Sequence, residues 1–460
     1  MTTPFPSPLP NLLNFDFMLQ TSLTTAIGEA LVQFPVMGNA ISFVAINETD
    51  SSKEFKHAGT FPTNEVNFFT ASLVKVGVLY AAYELRKSVN NLATVLGITT
   101  LNTLIERLKS DFDKEIMENF RNILTKLKPE IKGDFGSTIT APKYQDIFKV
   151  NPLNTGNLSF TFSDQFNTNL RKMIIEGYNE SAGACIKALS YSWINGALHA
   201  AGFFDLDQQK GIWVGGTFTG ALPIINIPTR NDANAAQVST CSHMANLYAH
   251  LVQGSLVSPS DSDEMLNLLW ESAATGNDPS FLDYTRRKNF PPRNYGVTHT
   301  KIGYGKLKTG IFVASEGTIV EDLKTQKKFI VVFQNSLDND EAITGLQFIV
   351  ERTIELFLKS RFQPHTRVNQ PVQFENVRVP NLIGIPGRQS NNLLLSIGLN
   401  PNNNVVKSTA EFEQEIVLRQ SPEPYQVVLK GSNVDIYYDY DVNGILWKPP
   451  LKMIHPYISR

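Results

Sequence analysis

Phe68-Phe69-Thr70-Ala71-Ser72-Leu73-Val74-Lys75-Val76-Gly77-Val78-Leu79-Tyr80 is the stretch that decides how this chain is read. From Ala71 to Leu85 it is almost wholly apolar, and Lys75 is the only charge before Glu84. Such a run reads as a buried helix that opens on a serine. Residues three apart share a helix face, so the ammonium of Lys75 is expected beside the hydroxyl of Ser72. Apolar surroundings disfavour the charged form of a lysine and bring its pKa toward the range of a usable base. A serine at a helix N-terminus also has free backbone N–H groups close by, which can stabilise a developing oxyanion. These are the parts of an activated Ser-Lys nucleophile. The plainer alternative makes Ser72 an N-cap and lets Lys75 snorkel to the surface.

Bulk properties narrow the function classes. The chain has 460 residues, enough for two or three domains, with 42% hydrophobic and 18% charged residues, so a sizeable core is available. A net charge of −2 gives no general attraction for nucleic acid or an anionic membrane. Cys185 and Cys241 stand outside any metal-type spacing and read as two buried thiols rather than a disulfide. His243 and His250 are too far apart along one helix to share a metal, and His199 is isolated. No cofactor is expected. Met1 to Pro10 shows no positive segment followed by an apolar core, and no run of about 18 apolar residues suggests a membrane span. Taken literally, that is a cytoplasmic protein.

Outward from the opening stretch, Phe15 to Phe34 has helical spacing, with Phe17, Leu19, Leu23, Ile27, Ala30 and Leu31 available for one face. Ala40 to Ile46 is a strand by composition, and Glu54–Gly59 its hairpin partner. Residues 88 to about 170 read as a mostly helical insert ending in a Pro/Asn/Gly-rich loop. Arg171–Ala188, Ser192–Gly202, Ser239–Gln253 and Pro259–Ala274 read as helices, with a loop-like stretch from Phe203 to Asn234. Thr300–Val313, Gly317–Leu323 and Lys328–Asn335 read as successive strands, and Glu341–Lys359 closes the unit as a helix. The fold class expected is α+β: an antiparallel sheet flanked by helices. The domain expected is 1–360, followed by a linker at 361–375, a small domain at 376–440 and a tail at 441–460.

A second polar signal sits in Lys306-Leu307-Lys308-Thr309-Gly310-Ile311. On an edge strand it would offer a cation, a hydroxyl and a position without a side chain, where a ligand can meet backbone. Lys308 would attract a substrate carboxylate, and the N–H of Ile311 would be a second oxyanion donor beside that of Ser72. The alternative is a solvated edge strand carrying lysines.

Ser-x-x-Lys at the head of an apolar helix, then Lys-Thr-Gly near the last strands, resembles the penicillin-recognising serine hydrolases: class A β-lactamases and their D-alanyl-D-alanine peptidase relatives. The resemblance spans most of residues 15–360. It implies Ser72 as the acylated nucleophile, Lys75 as its base partner, and Lys308 and Thr309 as carboxylate-binding residues, with Gly310 and Ile311 also against the substrate. The family's middle Ser-x-Asn motif is where the chain departs, and the best-placed candidate for it is Gly177-Tyr178-Asn179. There Asn179 would contact the substrate amide, and Tyr178, or less directly Ser181, would replace the hydroxyl that Gly177 lacks. Ser88-Val89-Asn90 follows Lys75 on the same helix and reads as a decoy.

Two further points bear on function. Between Phe204 and Thr240 there is no glutamate to activate a deacylating water; the carboxylates are Asp205, Asp207 and Asp232. The acyl-enzyme should then be long-lived. In addition, Val379-Pro380-Asn381-Leu382-Ile383-Gly384, a helix ending near Gly398, and Lys430-Gly431-Ser432 resemble a PASTA domain, a small β-α-β-β-β module. Pro380 and Gly384 would shape its first turn, and Gly398 would cap its helix. The two resemblances imply a small-molecule or peptide substrate, such as a peptidoglycan stem peptide or a β-lactam, and an extracytoplasmic setting. Two alternatives stay open: a true β-lactamase using another water base, and a lapsed hydrolase that binds wall fragments or peptides.

Overall fold

The computed structural model describes residues 3–34, 40–49, 52–152, 158–286, 290–362, 376–383, 387–396, 399–406, 417–424, 426–429 and 432–439. The chain divides into two compact units, Met1–Pro364 and His365–Arg460. Among the described residues of the first unit, the main sheet has six strands. They are β1 (Leu13–Phe15), β2 (Ala40–Thr49), β3 (Ser52–Gly59), β4 (Tyr295–Lys306), β5 (Phe312–Asp322) and β6 (Lys328–Leu337). Their order is β1-β3-β2-β6-β5-β4. All neighbours are antiparallel except the short edge strand β1, which runs parallel to β3.

The apolar run in β6 explains the layers. Side chains alternate across a strand. Phe329, Val331 and Phe333 enter one core, with Leu19, Leu23 and Val350 from helices α1 (Phe17–Gln33) and Asp340–Phe362. Ile330 and Val332 enter the other, with Val78, Tyr80 and Leu85 from α2 (Lys75–Leu96) and with Tyr248 from Cys241–Gln253. A strand buried on both faces needs no polar alternation, which is why this run is continuous. The architecture is the expected α+β one.

Several details differ from expectation. Asp16 caps α1 by accepting from Leu19 N at 2.9 Å, so Phe15 falls in β1. Phe17 is 70% exposed and does not belong to the buried face. Within 88–170 the helices Leu101–Asp111 and Asp113–Leu127 are followed by a hairpin, Phe148–Pro152 with Leu158–Phe162, where a loop is expected. Phe162 packs edge-on against Tyr83 of α2 at 5.3 Å, so tertiary contact rather than local pattern fixes that strand. The largest change concerns Thr300–Val313, which is not one strand. β4 stops at Lys306 and β5 starts at Phe312. Lys308-Thr309-Gly310 forms the turn between them, closed by Gly310 N donating to Leu307 O (2.8 Å) and Leu307 N to Ile311 O (2.8 Å). Gly310 adopts φ 91°, a left-handed conformation that favours glycine.

The second unit has a strand at Asn376–Arg378, a helix at Gly387–Ser396, and strands at Asn400–Val406, Val417–Ser421, Val427–Leu429 and Asn433–Asp439. Its core holds Val379, Leu382, Leu394, Leu399, Val417, Val434 and Ile436. Gln420 pins the first turn: its Oε1 accepts from Leu382 N (2.7 Å) and its Nε2 donates to Pro380 O (2.9 Å). Gly384, Gly398, most of the expected linker and the tail from 441 lie outside the described residues. Among the described residues no helix is long and apolar enough to cross a membrane.

Candidate active site

The nucleophile segment enters the site as a short strand, Phe68–Phe69, paired with Gln237–Ser239. Phe69 N donates to Asn231 Oδ1 (2.8 Å) and Thr70 N to Gln237 O (3.0 Å). Ala71 then takes φ 47°, a strained value for a residue with a Cβ. A single 3₁₀ turn, Ala71–Val74, carries Ser72, and the α-helix proper begins at Lys75. Ser72 is half-buried, while Lys75 is 0% exposed. Snorkelling is therefore ruled out for Lys75.

What surrounds that lysine defines the site. Its Nζ donates to Gly177 O at 2.6 Å and to Asn179 Oδ1 at 2.9 Å, and it lies 4.8 Å from the centre of the Phe218 ring. Burial, helped by the nearby Lys301 cation, lowers its pKa from the ordinary 10.5 to about 7, against the opposing pull of Asp278 and Glu180. Both acceptors come from a break in the chain. The helix Asp164–Arg171 runs into a π-turn, Lys172–Glu176, and ends at Gly177 with φ 74°. A new helix starts at Asn179. One continuous helix over Arg171–Ala188 is thus corrected to two. The break is what turns the Gly177 carbonyl and the Asn179 side chain toward Lys75.

The opposite wall is β4. Alternate residues of a strand share a face, here Lys301, Gly303 and Gly305. A Cβ on Gly303 would lie 2.0 Å from Thr70 O and 2.8 Å from Leu73 N. A Cβ on Gly305 would meet the Phe69 ring at 2.8 Å. The two glycines let this strand lie directly against the turn that carries Ser72. Lys301 is 2% exposed, and among the described residues its Nζ has no hydrogen-bond partner. A Cβ built on Gly177 would sit 3.9 Å from that Nζ and 2.9 Å from Asp278 Oδ2. Burial brings the Lys301 pKa down to about 8, with Asp278 and Glu316 acting in the other direction.

The expected residues therefore divide. Ser72, Lys75 and Asn179 share one region. Tyr178 is 45% exposed at the head of the helix opened by Asn179, and among the described residues its hydroxyl holds no hydrogen bond. Ser181 is buried inside that helix. Lys308 is held at the hairpin turn: its N–H donates to Asp232 Oδ1 (2.6 Å) and its Nζ to the carbonyls of Asp232 and Asn234. The cation that faces Lys75 is Lys301, not Lys308. Thr309 and Gly310 shape the turn, and Ile311 follows it, 49% exposed. Ser88 and Asn90 are structural: Asn90 exchanges two 2.9 Å hydrogen bonds with the backbone of Phe160.

Sequence reasoning missed Lys301, Gly303, Asp278 and Phe218. The first two had a signal in the spacing Lys-x-Gly-x-Gly on a strand; the other two had none. Of the carboxylates between Phe204 and Thr240, Asp205 caps Gln208 N (2.9 Å) and Asp232 holds Lys308. The side chain from this segment that reaches Lys75 is a phenyl ring. Cys185 and Cys241 are free and buried. Among the described residues no group of three or more His, Cys, Asp or Glu could hold a metal.

No curated protein sequence matches the chain. It is similar to the solved structure of a β-lactamase from Sphaerobacter thermophilus DSM 20745, with 13% identity and a TM-score of 0.40 over 74% of this chain and 97% of that one. A class A β-lactamase from Bacteroides cellulosilyticus DSM 14838 gives 12%, 0.41, 74% and 99%. A PBP-A mutant in acyl-enzyme complex with penicillin G gives 14%, 0.36, 76% and 100%. With TM-scores below one half, these likenesses carry no argument here. The family match is confined to the second unit, where residues 377–440 match the PASTA domain.

Proposed function

We propose that the first unit is a serine acyl-transfer hydrolase of the penicillin-binding type, related to the class A β-lactamases. It forms an acyl-Ser72 intermediate on an ester, amide or β-lactam-like donor and releases it slowly. The observation that carries this reading is the state of Lys75. A neutral amine has two N–H bonds and one lone pair. Gly177 O and Asn179 Oδ1 take the two N–H bonds, leaving the lone pair for the proton of Ser72. With a pKa near 7 the amine is substantially neutral at neutral pH.

In acylation the Ser72 Oγ bonds to the donor carbonyl carbon as its proton passes to Lys75 Nζ. Collapse breaks the bond to the leaving atom, which receives that proton from Lys75. The Ser72 N–H and the β4 edge at Gly303–Tyr304 would stabilise the oxyanion. Lys301 supplies the second cation, and the Asn179 NH₂ group remains for the donor. Deacylation needs a water and a base. The Phe218 ring beside Lys75 supplies none, which favours a long-lived acyl-enzyme over fast β-lactam turnover. For the second unit we infer, from the PASTA match, a peptide or wall-fragment ligand.

The test uses a neutral p-nitrophenyl ester. A stoichiometric burst of p-nitrophenol is expected, then slow release, with the acyl group mapped to Ser72 by mass spectrometry. Ser72→Ala should abolish burst and adduct together. An adduct elsewhere, or none, overturns the reading.

A further inference from the structure

Three ionisable groups converge on Gly177. Lys75 Nζ is bonded to its carbonyl (2.6 Å). Lys301 Nζ and Asp278 Oδ2 lie 3.9 Å and 2.9 Å from the point where its Cβ would be. Lys301 is an ammonium at 2% exposure without a hydrogen-bonded acceptor among the described residues. A buried cation in that condition demands an anion nearby. Two carboxylates act on it: the buried Glu316, which already accepts from Ser280 Oγ, Phe281 N and Thr300 Oγ1, and Asp278, an exposed residue in the loop after the helix Pro259–Thr275.

The leaving group must come to this spot. The proton taken from Ser72 resides on Lys75 and has to reach the leaving atom, so that atom lies on the Lys75 side of the acyl carbon. Around Lys75 stand Gly177, Asn179 and Phe218 in contact, and the charges of Lys301, Asp278 and Glu180, of which Lys301 and Asp278 also face Gly177. A carboxylate on the leaving group would meet the Asp278 carboxylate beside the same cation. Two like charges sharing one partner repel, at a cost that reaches tenfold or more in rate at separations of several ångströms.

We propose that Asp278 is a specificity-determining residue that occupies the anion seat beside Lys301. The site then takes acyl donors whose leaving group carries no carboxylate: neutral esters and amides, or amines. This rests on the acyl-transfer reading above and narrows its substrate class.

Two thioesters sharing one acyl group test it, one releasing a mercapto-carboxylic acid and the other the matching carboxamide. Thiol release by the full chain gives kcat/KM for each. The carboxamide is expected to react roughly tenfold faster or more, with the gap shrinking as salt is added. Asp278→Asn should cut the ratio to about twofold or invert it, mainly by raising the carboxylate's rate. Asp278 is exposed, so this variant is not expected to unfold, which its thermal unfolding checks, and the ratio of the two rates rather than either rate alone is the readout. A wild-type preference for the carboxylate overturns the proposal, as does a ratio that Asp278→Asn leaves unchanged. If both thioesters acylate Ser72 at one rate, the function stands and the specificity role of Asp278 falls. If neither acylates Ser72, the acyl-transfer reading falls and takes this inference with it.

Discussion

Lys75 and Lys301 are both buried amines, yet their surroundings assign them different tasks. Lys75 has two acceptors that fix its orientation and leave one lone pair directed elsewhere. Lys301 has a neighbouring cation and carboxylates but no fixed hydrogen bond among the described residues. The first suits a base and the second an electrostatic partner. Acylation should therefore rise with pH through an apparent pKa of about 7, because only the neutral Lys75 accepts a proton. Burst rates from pH 5.5 to 9 check this; a flat profile would remove Lys75 as the base. Lys75→Ala should slow the burst by roughly 10²–10⁴-fold. Lys308→Ala should leave the burst within about threefold and cost about 1 kcal/mol of stability, since it loses only hairpin hydrogen bonds. A large loss of acylation in Lys308→Ala would restore that residue to the site.

At the scale of elements, the site is a meeting of the Ser72 turn, the break at Gly177 and strand β4, and β4 contributes mainly through what it lacks. Gly303→Ala would place a methyl 2.0 Å from Thr70 O and 2.8 Å from Leu73 N, both backbone atoms that cannot swing away. The strand must then retreat from the Ser72 turn. We expect a loss of about 1–3 kcal/mol in thermal unfolding, with a burst reduced tenfold or more. Unchanged burst kinetics would show that β4 does not form the wall. The same three elements show what the sequence can and cannot reveal. The burial of Lys75 was legible because it is the one charge in an apolar run; the 3₁₀ turn that carries Ser72 was not, because it depends on the strand pairing that precedes it. The sheet and its flanking helices were legible because β6 is apolar on both faces. The cation that faces Lys75 was not read from the sequence because Lys308-Thr309-Gly310 and Lys301-Ile302-Gly303 share a lysine and a glycine at one spacing seven residues apart, the hydroxyl favours the first, and only the reversal at Gly310 puts one in a turn and the other on the strand. Asp278 was invisible: a loop carboxylate gains meaning only from the glycine it faces.

Over the whole first unit, the two lysines make the fold less stable than its core would allow, and the sign of that effect can be worked out. Each has a folded pKa below its unfolded value of 10.5, about 7 for Lys75 and about 8 for Lys301. Between the folded and unfolded values the unfolded chain holds more protons, so stability rises with pH across about 7 to 10.5 for Lys75. The penalty is complete below the folded pKa, where the native state must bury the charge. Each such group changes the unfolding free energy by at most about 1.4 kcal/mol per pH unit. Lys75→Met removes the charge and keeps the apolar stem, at the cost of leaving Gly177 O and Asn179 Oδ1 without their donor. The variant should be inactive yet more stable than wild type by about 1–3 kcal/mol at pH 6. That advantage should shrink steadily toward pH 9.5. Urea unfolding of both proteins at pH 6, 7.5 and 9.5 measures it, and taking the difference cancels tyrosines and other groups common to both. Parallel profiles would mean that Lys75 keeps its charge hydrated in the native state, and with that the neutral base on which the acyl chemistry rests would be lost.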